Sequence, residues 1–446
     1  MLRVASTLAL SAILVGCGGS GSLPLAPQPL GADAQPTTHI RHVVIVIQEN
    51  RSFNNLFATF PGTDGTTTGK LSSGKTITLV KGDLKFRMDL NHTIQAFQTS
   101  RDGGKMDGFD QVGLANGRRE GAHPFEYTNP AQIKPYWEMA SQYVLAEHMF
   151  QTQGSSSFTA HQDLIAGGTL VAPDKSLVNL PTCLGETSCV WGCDAPKGTR
   201  TSLITKADAI EPRSGPFPCL TYATLRDLLD AKRVSWKYYV PPICCNPFGR
   251  FMSAFDAIKA VRYGPEWKTN ISSPQTNIFK DVAHGELPAV SWLVPDAPDS
   301  DHPGPNADTG PEWVASVVNA IGKSSAWQTT AIVVVWDDWG GFYDNVNPRQ
   351  FGYGSLGFRV PAIVISPYAK AGYISKTDYE FGSILRFIED NWQLGRLGKS
   401  DVRARSIADC FDFQQRPRRF KPIQTKYPQS YFENRPPSFE PPDTDF

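Results

Sequence analysis

Two polar stretches stand where buried strands should end. HVVIVIQEN, residues 42–50, is apolar for five residues and then stops on Glu49 and Asn50. TAIVVVW, residues 330–336, runs directly into DDWGG, which puts Asp337 and Asp338 at its carboxyl end. A turn is better served by Gly or Pro than by a carboxylate beside a carboxamide. In open α/β sheets, by contrast, the carboxyl ends of strands are where ligands and ions sit. If both strands lie in one parallel sheet, Glu49, Asn50, Asp337 and Asp338 face one edge. Three carboxylates and an amide oxygen then form a hard-oxygen site for a divalent ion, whose charge offsets their repulsion. The plainer alternative is that these residues cap helices or turns.

A second cluster is QGSSSFTAHQDLIAG, residues 153–167. Serines placed after a glycine and before a helical stretch put a hydroxyl at a helix N-terminus, where N–H groups and the dipole favour an anion. A hydroxyl beside a metal ion is a competent nucleophile; a Ser-rich loop with an ordinary N-cap is the plainer alternative. No G-x-S-x-G elbow surrounds these serines, so a lipase-type hydrolase is not supported. His92, in MDLNHTIQAF, and His302, in PDSDHPGPNADTG, could stabilise an oxyanion or protonate a leaving group, or serve structure alone.

The elements that must position these groups are strands alternating with helices. SWKYYV (235–240), AVSWLV (289–294) and PAIVIS (361–366) join the first two runs as buried strands, and TLRDLLDAKR and EWVASVVNAIGK have helical spacing. The pattern predicts a mostly parallel sheet with helices on both faces, within one large α/β domain of this 446-residue chain. A formal net charge of zero with no basic run gives nucleic acid no electrostatic support.

Arg3 and the short apolar stretch after it read as an export signal. It ends in LVGC, which resembles the lipobox of bacterial lipoproteins; that resemblance makes Cys17 a lipidated residue and implies an envelope protein tethered to a membrane, facing the periplasm or cell surface. The expected organisation is a signal over 1–17, a flexible tether over 18–38, a catalytic domain over 39–410 and a Pro-rich tail over 411–446. An exported chain's remaining cysteines, Cys183, Cys189, Cys193, Cys219, Cys244, Cys245 and Cys410, predict disulfides with at least one thiol left over. Four of them fall in an aperiodic segment of about 170–220, read as a disulfide-held insertion near the ligand edge.

Taken together these residues resemble the bacterial phosphoesterase family of non-specific phospholipases C and related acid phosphatases. The ordered motifs are ENRSFNNLF (49–57), His92 with MDGF (106–109), SSSFTAHQDLIAG, LPAVSWLVPD with DHPG, and WDDWGGFYDNV followed by GFRVPAIVISPYAKAG. The resemblance implies an alkaline-phosphatase-like three-layer α/β/α sandwich. It puts Glu49, Asn50, Asp337 and Asp338 on the family's metal ligands. Ser157 falls on the nucleophile that joins them, His161 on the basic position four residues later, and His92 and His302 on the phosphate-site histidines. It implies a metal-dependent hydrolase working through a covalent phosphoserine, acid-phosphatase-like on phosphomonoesters, with phospholipase C action on phospholipid headgroups as the alternative. Departures are the missing Pro and Asn of the nucleophile loop, with Ser155 and Ser156 as fallbacks, Asp338 for a common Glu, Asn345 for a common His, and Asn54 for an Asp. The damaged loop leaves room for a catalytically weak envelope binding protein on the same fold, whereas a sulfatase signature, C/S-x-P-x-R, is absent. An all-oxygen ligand set favours Ca²⁺, Mg²⁺ or Mn²⁺ over Zn²⁺.

Overall fold

The computed structural model describes residues 34–85, 88–114, 123–183, 191–242, 252–303, 308–352, 355–436 and 438. The expected signal with Cys17, the tether as far as Asp33, and Cys189, Cys244 and Cys245 lie outside the described residues.

The apolar runs become strands because each is too short and too β-branched to hide its side chains in a helix. Eight strands form the central sheet: β1 (His42–Gln48), β2 (Val144–Ala146), β3 (Trp236–Tyr239), β4 (Ile271–Ser272), β5 (Val290–Leu293), β6 (Thr330–Trp336), β7 (Ala362–Ile365) and β8 (Tyr373–Ser375). Their order is β4-β3-β5-β1-β6-β7-β2-β8. Every neighbouring pair is parallel except those made by β7, which is antiparallel to both β6 and β2. Val43 to Ile47 and all of β6 are buried, as strands covered on both faces must be.

Two helical layers do the covering. One contains α1 (Lys134–Gln142), α4 (Asn277–His284) and α5 (Gly310–Lys323), with α5 packed on the other two and on β6. The other contains α2 (Ser157–Ala166), α3 (Leu225–Ala231) and α6 (Phe381–Trp392), with α2 packed on both partners. The indole of Trp292 in β5 donates to Leu164 O of α2 at 3.1 Å, fixing this helix over the sheet. The architecture is the expected three-layer sandwich.

The segment after α2 is more regular than its sequence. Leu170–Ala172, Lys175–Thr182, Arg200–Thr205 and Ile210–Glu211 form an antiparallel sheet, and a Cys193–Cys219 disulfide lies beside it. Its alternation is hidden because Asn179 takes φ 57° and a register shift interrupts the pairing between Arg200 and Ser202. Cys183 is also disulfide-bonded, and Cys410 is a free thiol in the core.

Beyond β8 and α6 the chain returns across α5. Asn319 pairs with the Ile423 backbone through both amide atoms, at 2.9 and 2.8 Å, and Phe432 packs edge-on against Trp313. Arg435 then forks onto Asp296 and Asp299 in the loop after β5, at 2.9 and 2.7 Å to the two oxygens of Asp299.

Candidate metal centre and active site

Register brings the two acidic strand ends together. In the β1–β6 pair Gln48 lies opposite Trp336, so Glu49–Asn50 and Asp337–Asp338 leave the sheet side by side. The chain turns sharply at both places. Asn50 sits at φ 52°, and the Gly340 at φ 59° lies so close to it that a Cβ there would be 2.0 Å from Asn50 O. Only glycine fits, which accounts for the first glycine of DDWGG.

The four residues form one buried network. Asp337 Oδ1 accepts from the backbone N–H of Asn50 at 3.0 Å and of Asp338 at 2.7 Å. Asp338 Oδ1 accepts from Gly340 N at 2.7 Å, and its Oδ2 accepts from the Ser157 hydroxyl at 2.9 Å. Ser157 opens α2, so the hydroxyl stands at the positive end of a ten-residue helix. His161, one helical turn further on, lies on the same face. Its Nε2 is 3.0 Å from Glu49 Oε1 and 3.7 Å from Asp337 Oδ2, and its ring packs on Trp191.

His92 sits against Asn50. Nδ1 faces Leu90 O at 2.7 Å; a carbonyl only accepts, so Nδ1 carries the proton. Nε2 then accepts from the Asn50 amide nitrogen at 3.1 Å, with Asp338 Oδ2 3.7 Å away. Asn50 Oδ1 is left buried with no hydrogen bond among the described residues. His302 is tied in through backbone: Ser300 O accepts from Glu49 N at 2.7 Å, and Ser300 Oγ accepts from His302 N at 3.2 Å. Its Nδ1 lies 2.9 Å from the Pro303 carbonyl.

Neither fallback serine shows a hydrogen bond to the carboxylates among the described residues. Ser155 Oγ accepts from Asn179 N at 2.7 Å, and Ser156 occupies the N-cap position with its hydroxyl buried and lacking a hydrogen bond among the described residues. Among the replaced positions, Asn54 pairs with Thr66 through both amide atoms, and Asn345 bridges Arg359 and the Asp64 carbonyl.

Do these residues suit a divalent ion? Three buried carboxylates converge, and among the described residues Asn50 Oδ1 and Asp337 Oδ2 are buried with no hydrogen bond. Burial, and then the neighbouring Glu49, push the Asp337 carboxyl up to about 7. Orphaned oxygens and an ionisation opposed by burial are what a cation would relieve, so the group fits. Glu49, His161 and Asp337 each offer an atom within 4.8 Å of the other two. That finding alters the expected donor set. With His161 in reach, an imidazole nitrogen stands beside the oxygens that favour Ca²⁺, Mg²⁺ or Mn²⁺, and imidazole suits Zn²⁺ as well.

Two groups that position the site escaped the sequence reading. Arg51, fully buried, donates to Asp301 O at 2.9 Å and Leu84 O at 2.7 Å and lies over the Phe342 ring. Asp301, at φ 70°, accepts at one oxygen from Tyr136, Trp336 and Gln48, the last two at the end of their strands. The signal for Arg51 was its place directly behind two ligand candidates, where a buried guanidinium must find acceptors.

Fold and site together define a three-layer α/β/α protein in which a serine hydroxyl stands beside a buried carboxylate cluster at the carboxyl edge of a mostly parallel sheet. Residues 40–395 match the Phosphoesterase family, and the chain belongs to it: a family of phosphoric ester hydrolases. A non-hemolytic phospholipase C of Pseudomonas aeruginosa is 25% identical over 79% of this chain and 54% of its own. Phospholipase C A of Mycobacterium tuberculosis is 26% identical over 84% of this chain and 78% of its own. Non-specific phospholipase C1 of Arabidopsis thaliana is 24% identical over 89% and 75%. The chain thus spans about half the length of the Pseudomonas relative. A solved protein of the alkaline phosphatase superfamily from Vibrio parahaemolyticus aligns over 84% of this chain and 74% of its own at 11% identity, with a TM-score of 0.38, too low to bear on the fold. Among the described residues no helix is long and apolar enough to cross a membrane.

Proposed function

We propose that this chain hydrolyses phosphoric esters through Ser157, acting on soluble phosphomonoesters. The observation that carries the reading is the Ser157 hydroxyl, 2.9 Å from Asp338 Oδ2 at the head of α2. Glu49, Asn50, Asp337, Asp338, Ser157 and His161 would hold a divalent ion, which when bound lowers the pKa of a neighbouring hydroxyl and offsets charge on phosphoryl oxygens. Ser157 Oγ attacks phosphorus and gives its proton to Asp338 as the Oγ–P bond forms. The P–O bond to the leaving group breaks, and protonated His302 gives that oxygen its proton. Water then attacks the phosphoserine and loses a proton to His302. The Oγ–P bond breaks, Asp338 returns its proton to Ser157, and phosphate departs. The helix dipole of α2 stabilises the phosphoryl group throughout. His92 orients Asn50.

Acid quenching during turnover, with mass spectrometry of the 153–167 peptide, tests the reading. Phosphate should appear on Ser157 and vanish in Ser157→Ala together with nearly all turnover. Phosphate on Ser155 or Ser156, or a fully active Ser157→Ala, defeats it.

A second reading, phospholipase C action on phospholipid headgroups, is favoured by the names of the relatives at 23–26% identity. Rates on an aryl phosphate and on short-chain phosphatidylcholine decide between the two. A rate that rises only above the micelle threshold, with negligible aryl phosphate turnover, selects the phospholipase. Lipid attachment at Cys17 belongs to the same proposal. Cys17→Ala should move the expressed protein from the membrane fraction to the soluble one.

A further inference from the structure

A third strand of the sheet ends as β1 and β6 do. β2 runs parallel to β6, two places along, and finishes at Ala146, so Glu147 and His148 leave the same carboxyl edge. Two strand spacings put them roughly 10 Å along that edge from Asp337. Asp64 reaches them from the loop that follows the helix Phe53–Phe57.

The three residues form a second convergent group, each with a ligand atom within 4.8 Å of the others. Glu147 is fully buried. Its Oε1 accepts from Asp64 N–H, and its Oε2 is buried with no hydrogen bond among the described residues. On His148, Nδ1 lies 3.0 Å from Asp378 Oδ1, which puts a proton on that nitrogen and points Nε2 inward, 3.4 Å from Asp64 Oδ2. A carboxylate behind an imidazole is how metal-ligating histidines are oriented. The charge is now met by Lys376, whose Nζ is 2.8 Å from Asp64 Oδ1 and 3.8 Å from Glu147 Oε2. That side chain is 54% exposed, so it can swing into solvent and leave the carboxylates to a cation. Access is open as well, because Lys376 and Asp378 line a groove of about 710 Å³.

We propose that Asp64, Glu147 and His148 bind a divalent transition-metal ion in competition with Lys376. Two carboxylates with one imidazole suit Zn²⁺ or Mn²⁺ better than Mg²⁺ or Ca²⁺. Nothing in this proposal depends on the assignment of Ser157.

The test counts metal rather than turnover. The full chain is stripped with chelator, dialysed against Zn²⁺ or Mn²⁺, and its bound metal measured in wild type, Asp64→Asn, His148→Gln, Lys376→Met and Asp337→Asn. Wild type should hold one ion more than Asp64→Asn or His148→Gln, both of which keep wild-type turnover. Lys376→Met should bind this ion at least tenfold more tightly. Asp337→Asn should keep it. Should His148→Gln fail to fold, Asp64→Asn decides, since Asp64 is 45% exposed and its replacement is tolerable. A folded Asp64→Asn with the wild-type metal count, or an unchanged affinity in Lys376→Met, overturns the proposal.

Discussion

Asn50 shows how much one uncharged side chain organises. Its backbone N–H holds Asp337, its amide nitrogen is taken by His92, and its Oδ1 is buried with no hydrogen bond among the described residues. If His92 acts by orienting this amide, His92→Ala should weaken metal affinity by about 10–100-fold, as loss of an outer partner of a metal ligand does. Excess metal should then restore turnover. Failure of excess metal to do so would mean that His92 works on the phosphate directly. Asp337→Asn carries a double expectation. It removes a buried charge that burial and Glu49 oppose, so the stripped variant should unfold later than stripped wild type, and the order should reverse once the ion is added. Paired thermal melts with and without chelator read both signs. At this scale Glu49, Asn50, Asp337 and Asp338 were legible because an apolar run stopping on acids needs a reason. The two-way contact of His161 was not: its spacing from Ser157 gives a shared helix face, but only the register of β1 against β6 sets two carboxylates before that face.

Among the elements, the turn after β6 is the tightest constraint. Gly340→Ala would drive a methyl into Asn50 O, 2.0 Å away, at a φ that costs a side chain about 1 kcal/mol by itself. The turn must move, so we expect stability to fall by about 2–3 kcal/mol and metal affinity with it. Denaturant melts and metal titration of the one variant measure both. The end of α6 gives a pH dependence. Burial first, and then Asp401, push the Glu389 carboxyl up to about 7, despite Arg396 nearby. Between its ordinary range and pH 7 the folded chain holds more proton there than the unfolded one, so stability from this group is full below about pH 4.5 and lost as pH rises through 7. Glu389→Gln should flatten that window, by on the order of 2 kcal/mol, in denaturation curves taken at pH 4.5 and 7.5. The long strands were readable as apolar runs, whereas β2, β4 and β8 span two or three residues and carry no period to read. β7 was found as a strand; its reversed direction goes with a connection from β6 that holds no helix among its described residues, since a parallel return is usually made through one.

For the molecule as a whole, an ion bound to the folded chain and not to the unfolded one must stabilise it. Stability should drop by about 2.7 kcal/mol on chelation from a hundredfold excess over Kd, seen as an earlier calorimetric transition; an unmoved transition in a sample verified as metal-free counts against the metal centre. The layered fold was legible because strands alternated with helices. The strap over α5 was not, since Phe420, Ile423 and Phe432 are spread through a Pro-rich stretch without period. That strap has a bearing on time. Arg435 anchors a loop that lies nearly 140 residues earlier, through Asp296 and Asp299. The same loop gives the Gln48 side chain its Asp299 carbonyl at 2.9 Å and Glu49 its Ser300 carbonyl at 2.7 Å. All eight strands of the sheet precede Arg435 in the chain, so synthesis leaves this anchor of the working edge until after the sheet. A chain without that arginine would keep every strand of the sheet and lose the anchor of the loop that holds Gln48 and Glu49 from behind.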